Sequence, residues 1–290
     1  EQMTILIGTG VRIAAGLALA LALGGMASAA DLLERTAKGE AIRIGAANIA
    51  PHVVMDGQKQ TGEALEVARK ALSEMGVTNV EVLTIDFGAL IPALQANRID
   101  MIASGMSITP PRCKQVAFSD PYYGKAEALI VKKGNPLGLN TYDDIAKNPA
   151  ARFGHVLGGT EGPQAASAGI QESQISTYPD SATLADALKA DRIDALALPD
   201  LQVNWILKKA GWEEFETPGP FVPKLDGKDQ VLFTAFGFTL EDAPFRDKFN
   251  EVLDRMKKDG TVSSLVKDFA ITQFGVDLAA DQTFQQVCGD

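Results

Sequence analysis

At 290 residues with 46% hydrophobic side chains, the chain has apolar surface enough for one large domain or for two lobes, each with its own core. Its formal net charge of −10 argues against a phosphate-backbone partner, because counterion-release binding needs clustered Lys and Arg, and no nucleic acid is expected. In chain order, Arg12 precedes an apolar run from Ile13 to Leu23 that breaks at Gly24-Gly25 and ends in the small residues Ala27-Ser28-Ala29. This spacing predicts a cleaved secretory leader over residues 1–30 and an exported mature chain. The run is shorter than the roughly 20 residues of a membrane span, and no Cys follows to carry a lipid. Only two cysteines occur, Cys113 and Cys288. In an oxidising compartment an even pair tends to close, and chain-entropy models give so long a loop roughly 4–5 kcal/mol.

Ala41 to Ala47 reads as a first strand, with Ile42 and Ile44 alternating against polar or small neighbours. Gly62 then leads into a helix, Glu63 to Met75, whose apolar stripe runs through Ala64, Ala68, Leu72 and Met75 and stops at Gly76. Val80 to Ile85 is a second strand, and Phe87 to Asn97 a short helix in which Pro92 is tolerable only in the first turn. Strand and helix alternate, so a parallel sheet is expected.

Residues 93–100, Ala-Leu-Gln-Ala-Asn-Arg-Ile-Asp, return at 187–194 as Ala-Leu-Lys-Ala-Asp-Arg-Ile-Asp. Each copy reads helix, turn, strand, which predicts two similar α/β lobes. Open α/β sheets bind ligands beyond the carboxyl ends of their strands, so Ser104 onward and Pro199-Asp200 should face one shared cleft. Ala126 to Lys132 and Gln230 to Phe238 are the expected crossovers, and Pro244 to Lys258 an amphipathic helix ending at Gly260. The expected division is a discontinuous first lobe, residues 31–130 and 234–290, with a second lobe of residues 131–233 inserted.

No metal or cofactor constellation appears: His52 and His155 are far apart, and no P-loop, G-x-S-x-G or G-x-G-x-x-G occurs. Leu157 to Gly162 is glycine-rich and resembles the mouth of a helix, where backbone N–H groups and the Thr160 hydroxyl suit a carboxylate; Thr160 is equally a plain helix cap. Between Gly105 and Arg112, Ser107 ends a strand, Thr109 caps a short helix and Pro110 begins it. Arg112, one turn in, offers a rigid fork of donors that matches a carboxylate, although an Arg on a short helix is more often a solvated surface charge.

Ser107-Ile108-Thr109, Arg112 and Phe118-Ser119-Asp120-Pro121-Tyr122-Tyr123, with Gly158-Gly159-Thr160, the two Arg-Ile-Asp triplets and Asp259-Gly260, resemble the periplasmic solute-binding proteins of polar amino-acid ABC importers. The resemblance extends over nearly the whole mature chain. It implies two lobes joined by two crossover strands, a small zwitterionic solute, an inner-membrane permease complex as partner, a periplasmic location and no cofactor. It implies that Arg112 grips the solute carboxylate, helped by Ser107, Gly105 and Thr160, while an acid after the second-lobe strand takes the ammonium. Asp200 is that acid, one residue later than the family's usual place, which here holds Pro199.

Within the family the chain is most similar to the ectoine and hydroxyectoine binders, through both cysteines and Asn135-Pro136-Leu137-Gly138-Leu139. Matching pocket positions are His52, Phe87 and Ser107, with Ile49 in place of an acid and Asn48 beside it; only Phe87 keeps the ring that a cation–π cage needs. A polar amino acid is at least as good an expectation as ectoine. His52 either hydrogen-bonds the solute or sits on a solvent-facing loop, and Tyr122 and Tyr123 read as hinge or core packing. The alternative reading is a cyclohexadienyl dehydratase on the same fold, with Glu161 as general acid; otherwise Glu161 is a ligand contact or a surface residue at a helix start. One cleft per chain needs no partner subunit, so a monomer is expected.

Overall fold

The computed structural model describes residues 31–56, 59–209, 211–225, 227–269 and 273–289. The expected leader lies outside these residues. Among them, no helix is long and apolar enough to cross a membrane.

Two sheets organise the chain. In the first, the order is Val80–Thr84, Ile42–Ala46, Met101–Ile102, Gly237–Phe238 and Ala117–Phe118. In the second it is Ile175–Tyr178, Phe153–Val156, Ala195–Pro199, Glu127–Lys132 and Phe215–Glu216, with Pro220–Phe221 also on Glu127–Lys132. Each sheet begins with parallel strands, as alternation of strand and helix requires. Next to these, each sheet carries an antiparallel strand, Gly237–Phe238 or Glu127–Lys132, which the sequence pattern does not announce. The cause is connectivity: these segments arrive from the other sheet and so enter at the edge where the parallel strands end.

The crossovers are shorter than the sequence suggests. Tyr123–Lys125 pairs antiparallel with Leu232–Thr234, apart from either main sheet. Glu127–Lys132, read as a crossover, is instead fully paired inside the second sheet, and a lobe boundary at residue 130 would cut through that strand. Its side chains from Glu127 to Val131 are buried, because neighbours cover it on both edges and both faces.

Local chemistry explains most of the other elements. The Glu63–Glu74 helix buries Ala64, Leu65, Val67, Ala68, Ala71 and Leu72, and Gly76 follows with φ +82°, a left-handed turn that glycine makes without strain. Pro92 is the third residue of the Leu90–Gln95 helix, where its missing N–H would have no helical acceptor. The Ala243–Lys258 helix turns Phe245, Phe249, Leu253 and Met256 into the first core, where Phe249 packs on Phe236 and Phe238. Leu32–Ala37, an element the sequence pattern did not suggest, is a short helix capped by the Asp31 carboxylate, which accepts from Glu34 N–H at 2.8 Å.

The eight-residue echo is structural. Asp100 accepts from the Arg43 backbone N–H at 2.8 Å, Nε at 2.9 Å and Nη2 at 2.7 Å. Asp194 accepts from Arg152 in the same three ways, at 2.8, 2.9 and 2.7 Å. Asn97 and Asp191 turn each copy with φ of 52° and 54°. Gly45 and Gly154 leave the space that Ile99 and Ile193 occupy, so a side chain at either glycine would collide with the isoleucine. Gly45 and Gly154 lie in the first of each sheet's three parallel strands, Arg43 inside that strand and Arg152 just ahead of it, and each Ile-Asp precedes the third, so the motif locks the helix-to-strand return against the sheet centre.

The two copies differ in exposure. Asp100 is nearly buried, and although burial opposes its charge, hydrogen bonds from Arg43 and Arg35 hold its carboxyl below the ordinary range. Arg152 holds Asp194 down in the same way in a more exposed setting. Asp100→Ala is therefore expected to cost about 2–3 kcal/mol in urea unfolding, against about 1 kcal/mol for Asp194→Ala. A depressed folded-state pKa contributes stability that is present above the unfolded value and lost as pH falls through the folded one. The gap between wild type and Asp100→Ala should thus close below about pH 4.

Candidate functional site

A cavity lies where the carboxyl ends of both sheets meet. The first sheet's side contributes Ile49, Phe87, Gly105, Ser107 and Arg112; the second contributes Val156, Gly159, Thr160, Glu161, Ser181, Leu198, Pro199 and Gln202. Lys125 enters from the crossover strand.

Arg112 lies on the short Pro110–Cys113 helix and is 9% exposed. Its Nη1 donates to the Ser107 carbonyl at 2.8 Å and its Nη2 to the Gly158 carbonyl at 2.6 Å, so one guanidinium engages main chain from both lobes. The Phe87 ring stands 5.7 Å from its carbon, within cation–π range. Burial lowers its pKa to about 10, with Glu161 pulling the other way, and it remains a cation at neutral pH. Thr109 and Thr160 stand at helix starts, but neither side chain makes a cap hydrogen bond. For Thr160 the cap reading gives way, and the residue lines the cavity.

Glu161, 6% exposed, begins the Glu161–Ser167 helix and turns into the cavity rather than onto the helix surface. Asp200 is placed differently. It opens the Asp200–Lys209 helix directly after the Ala195–Pro199 strand, its N–H bonds the Ala126 carbonyl at 3.0 Å, and it does not line the cavity; its neighbours Pro199 and Gln202 do. Burial pushes its carboxyl up.

Two other expected contacts lie elsewhere. Asn48 is exposed and does not line the cavity that its neighbour Ile49 lines. His52 is neither a solvent-facing loop residue nor part of the cavity wall: it is 1% exposed, its Nδ1 bonds the buried Glu63 carboxylate, and its ring underlies Gly105. A side chain at Gly105, whose φ is +66°, would strike that imidazole. Tyr122 stacks on Phe236 with centroids 4.8 Å apart, within the first core. Cys113 and Cys288 are bonded, with Cα atoms 6.0 Å apart.

Sequence reasoning missed Lys125, Ser181 and Gln202. Lys125 Nζ donates to the Gly105 carbonyl at 3.3 Å, and Ser181 Oγ and Gln202 Oε1 are buried without a hydrogen-bond partner. Glu127, fully buried behind the cavity, also has both carboxylate oxygens unpartnered, and burial pushes its pKa well up. Unsatisfied buried polar atoms are costly, and those of Ser181 and Gln202 line the cavity, where a polar guest can satisfy them. Among the described residues, no group of acids, His or Cys is arranged to hold a metal ion.

The comparisons agree with this geometry. The family model for bacterial extracellular solute-binding proteins, family 3, matches residues 42–271. A probable amino-acid ABC transporter periplasmic-binding protein of Sinorhizobium fredii is 33% identical over 281 residues, 96% of this chain and 92% of its own. The lysine/arginine/ornithine-binding periplasmic protein of Escherichia coli is 30% identical, covering 87% of this chain and 95% of its own. Among solved structures, EhuB in complex with hydroxyectoine superposes with a TM-score of 0.81 at 33% identity, covering 89% of this chain and 98% of that one. An ancestral amino acid-binding protein, a precursor of cyclohexadienyl dehydratase, gives 0.71 at 28% identity over 82% of this chain and 98% of its own. The family and the curated relatives are binding proteins of ABC transporters, not enzymes. With two lobes, a cleft between their strand ends and this match along most of its length, the chain belongs to the bacterial extracellular solute-binding proteins, family 3.

Proposed function

We propose that this chain, exported and freed of its leader, captures a small zwitterionic solute between its lobes in the periplasm and hands it to an inner-membrane ABC permease. The observation that carries this reading is the pairing of a buried cation and a buried anion across one cavity: Arg112 from the first sheet's side and Glu161 from the second. The solute carboxylate meets Arg112, with Ser107, Gly105 and Thr160 beside it, and the ammonium meets Glu161 in preference to Asp200. Phe87 covers the solute from the first lobe. Because the two charges belong to different lobes, the solute binds the closed form better than the open one, which is what drives closure. The lobes divide at the paired strands, giving a first lobe of residues 31–125 and 232–290 and a second of residues 126–231.

Binding of the native state by a ligand raises its melting temperature by mass action, by about 2.7 kcal/mol at a hundredfold excess over Kd. Unfolded, dialysed and refolded protein, scanned against amino acids, ectoine, hydroxyectoine and prephenate, should show a shift with an amino acid or ectoine and no turnover of prephenate. Silence from every zwitterion, or consumption of prephenate with loss of water and carbon dioxide, would overturn the reading.

A further inference from the structure

Arg112, Glu161 and Lys125 are the charged side chains among the described residues that line the cavity. A simple zwitterion, bound as above, matches the first two and leaves Lys125 over. Lys125 is 5% exposed, and its ammonium, which has three protons to donate, makes a single hydrogen bond, to the Gly105 carbonyl. No described carboxylate lies within ion-pair distance of Nζ; Glu127, Glu161 and Glu63 act on it only from farther away. The unpartnered acceptor Gln202 Oε1 and the Ser181 hydroxyl line the same cavity.

We propose that Lys125 is the selectivity residue of the site, donating to an oxygen acceptor on the solute's side chain and excluding solutes whose side chain is cationic. This rests on the zwitterion reading and narrows it to amino acids with a side-chain carboxamide or carboxylate, the glutamine and glutamate class. Two physical reasons support it. A buried ammonium with spare donors gains most from an acceptor that replaces the water it has lost, and burial already pulls its pKa below the ordinary lysine value. A second cation brought next to it meets repulsion, while the acid that lines the cavity, Glu161, is taken by the solute ammonium.

The test is calorimetric titration of the ligand-stripped protein with L-glutamine, L-glutamate, L-arginine, L-lysine and ectoine, repeated on Lys125→Met, which fills the same space without charge or donor. Wild type should prefer glutamine or glutamate over arginine and lysine. In Lys125→Met that preference should fall about 10-fold or more, the usual size of a lost hydrogen bond to a charged group. If wild type binds arginine or lysine most tightly, or if the variant keeps the wild-type order of affinities, ectoine included, Lys125 has no such role. Failure of every zwitterion to bind wild type would remove the reading on which this one rests, and so both. A variant that melts well below wild type is replaced by Lys125→Leu, for which the same order of affinities decides.

Discussion

Arg112→Ala should abolish solute binding, with a loss of about 100-fold or more in affinity and no melting shift at solute concentrations that saturate wild type. The guanidinium has five N–H donors, and the bonds to Ser107 and Gly158 leave the rest for the solute. Removing it strips a buried carboxylate of its charge-assisted partner, and truncating one side of such a pair costs about 2–5 kcal/mol. It also removes a donor that reaches the Gly158 carbonyl in the other lobe, so the closed form loses a contact of its own. Arg112→Lys separates the two effects: it keeps the charge but not the planar fork, and should recover only part of the affinity. Both variants should retain a wild-type circular dichroism spectrum, because the charge lies at the cavity wall and not among the packed apolar side chains. Unchanged affinity in Arg112→Ala would mean that the solute carboxylate sits elsewhere.

The second large effect concerns stability. Replacing Cys113 and Cys288 together by Ser should lower the unfolding free energy by about 2–5 kcal/mol, as should reducing the wild-type protein. The bond closes a loop of 175 residues in sequence separation, but loop entropy is not the whole account. The C-terminal Phe284–Cys288 helix is packed as well as tied: Phe284 N–H donates to Asp120 Oδ1 at 2.9 Å, and the Arg246 guanidinium stands 4.0 Å above the Phe284 ring. Phe284, Val287 and Cys288 lie against the cluster of Ile49, Leu90 and Phe118. Guanidinium titrations with and without reductant provide the measurement. Coincident curves for oxidised and reduced wild type would show that packing alone holds the tail. Because Cys113 directly follows Arg112, the reduced protein should also bind its solute somewhat more weakly, through looser placement of the Pro110–Cys113 helix.

Much of the fold was legible because local rules decide it. The stripe from Ala64 to Leu72 could only be a helix face, Gly76 could only follow its end, and Pro92 had to fall in a first turn. The echo announced the duplication, and the structure supplies its physical content in the two Arg–Asp clasps and the two glycines beneath isoleucines. What stayed hidden depends on contacts between distant segments. His52 reads as a loop residue until Gly105, far along the chain, closes over its ring. Asp200 and Glu161 both stand at helix starts after strands, yet only Glu161 lines the cavity, a difference set by how each helix sits against its sheet. Lys125 was passed over because nothing local marks a lysine in a strand as buried; it takes the crossover pairing with Leu232 to hold it there.

That crossover pairing has a consequence for how the chain is made. The second sheet is complete by Phe221, whereas the first waits for Gly237–Phe238, so during synthesis the middle of the chain can finish before its beginning is able to. Once folded, the inserted stretch is closed at its base, where Lys125 pairs with Leu232. The long stretch between them then no longer acts as a floppy loop whose closure must be bought with entropy, and the late strands meet their early partners over a distance the insert has already spanned.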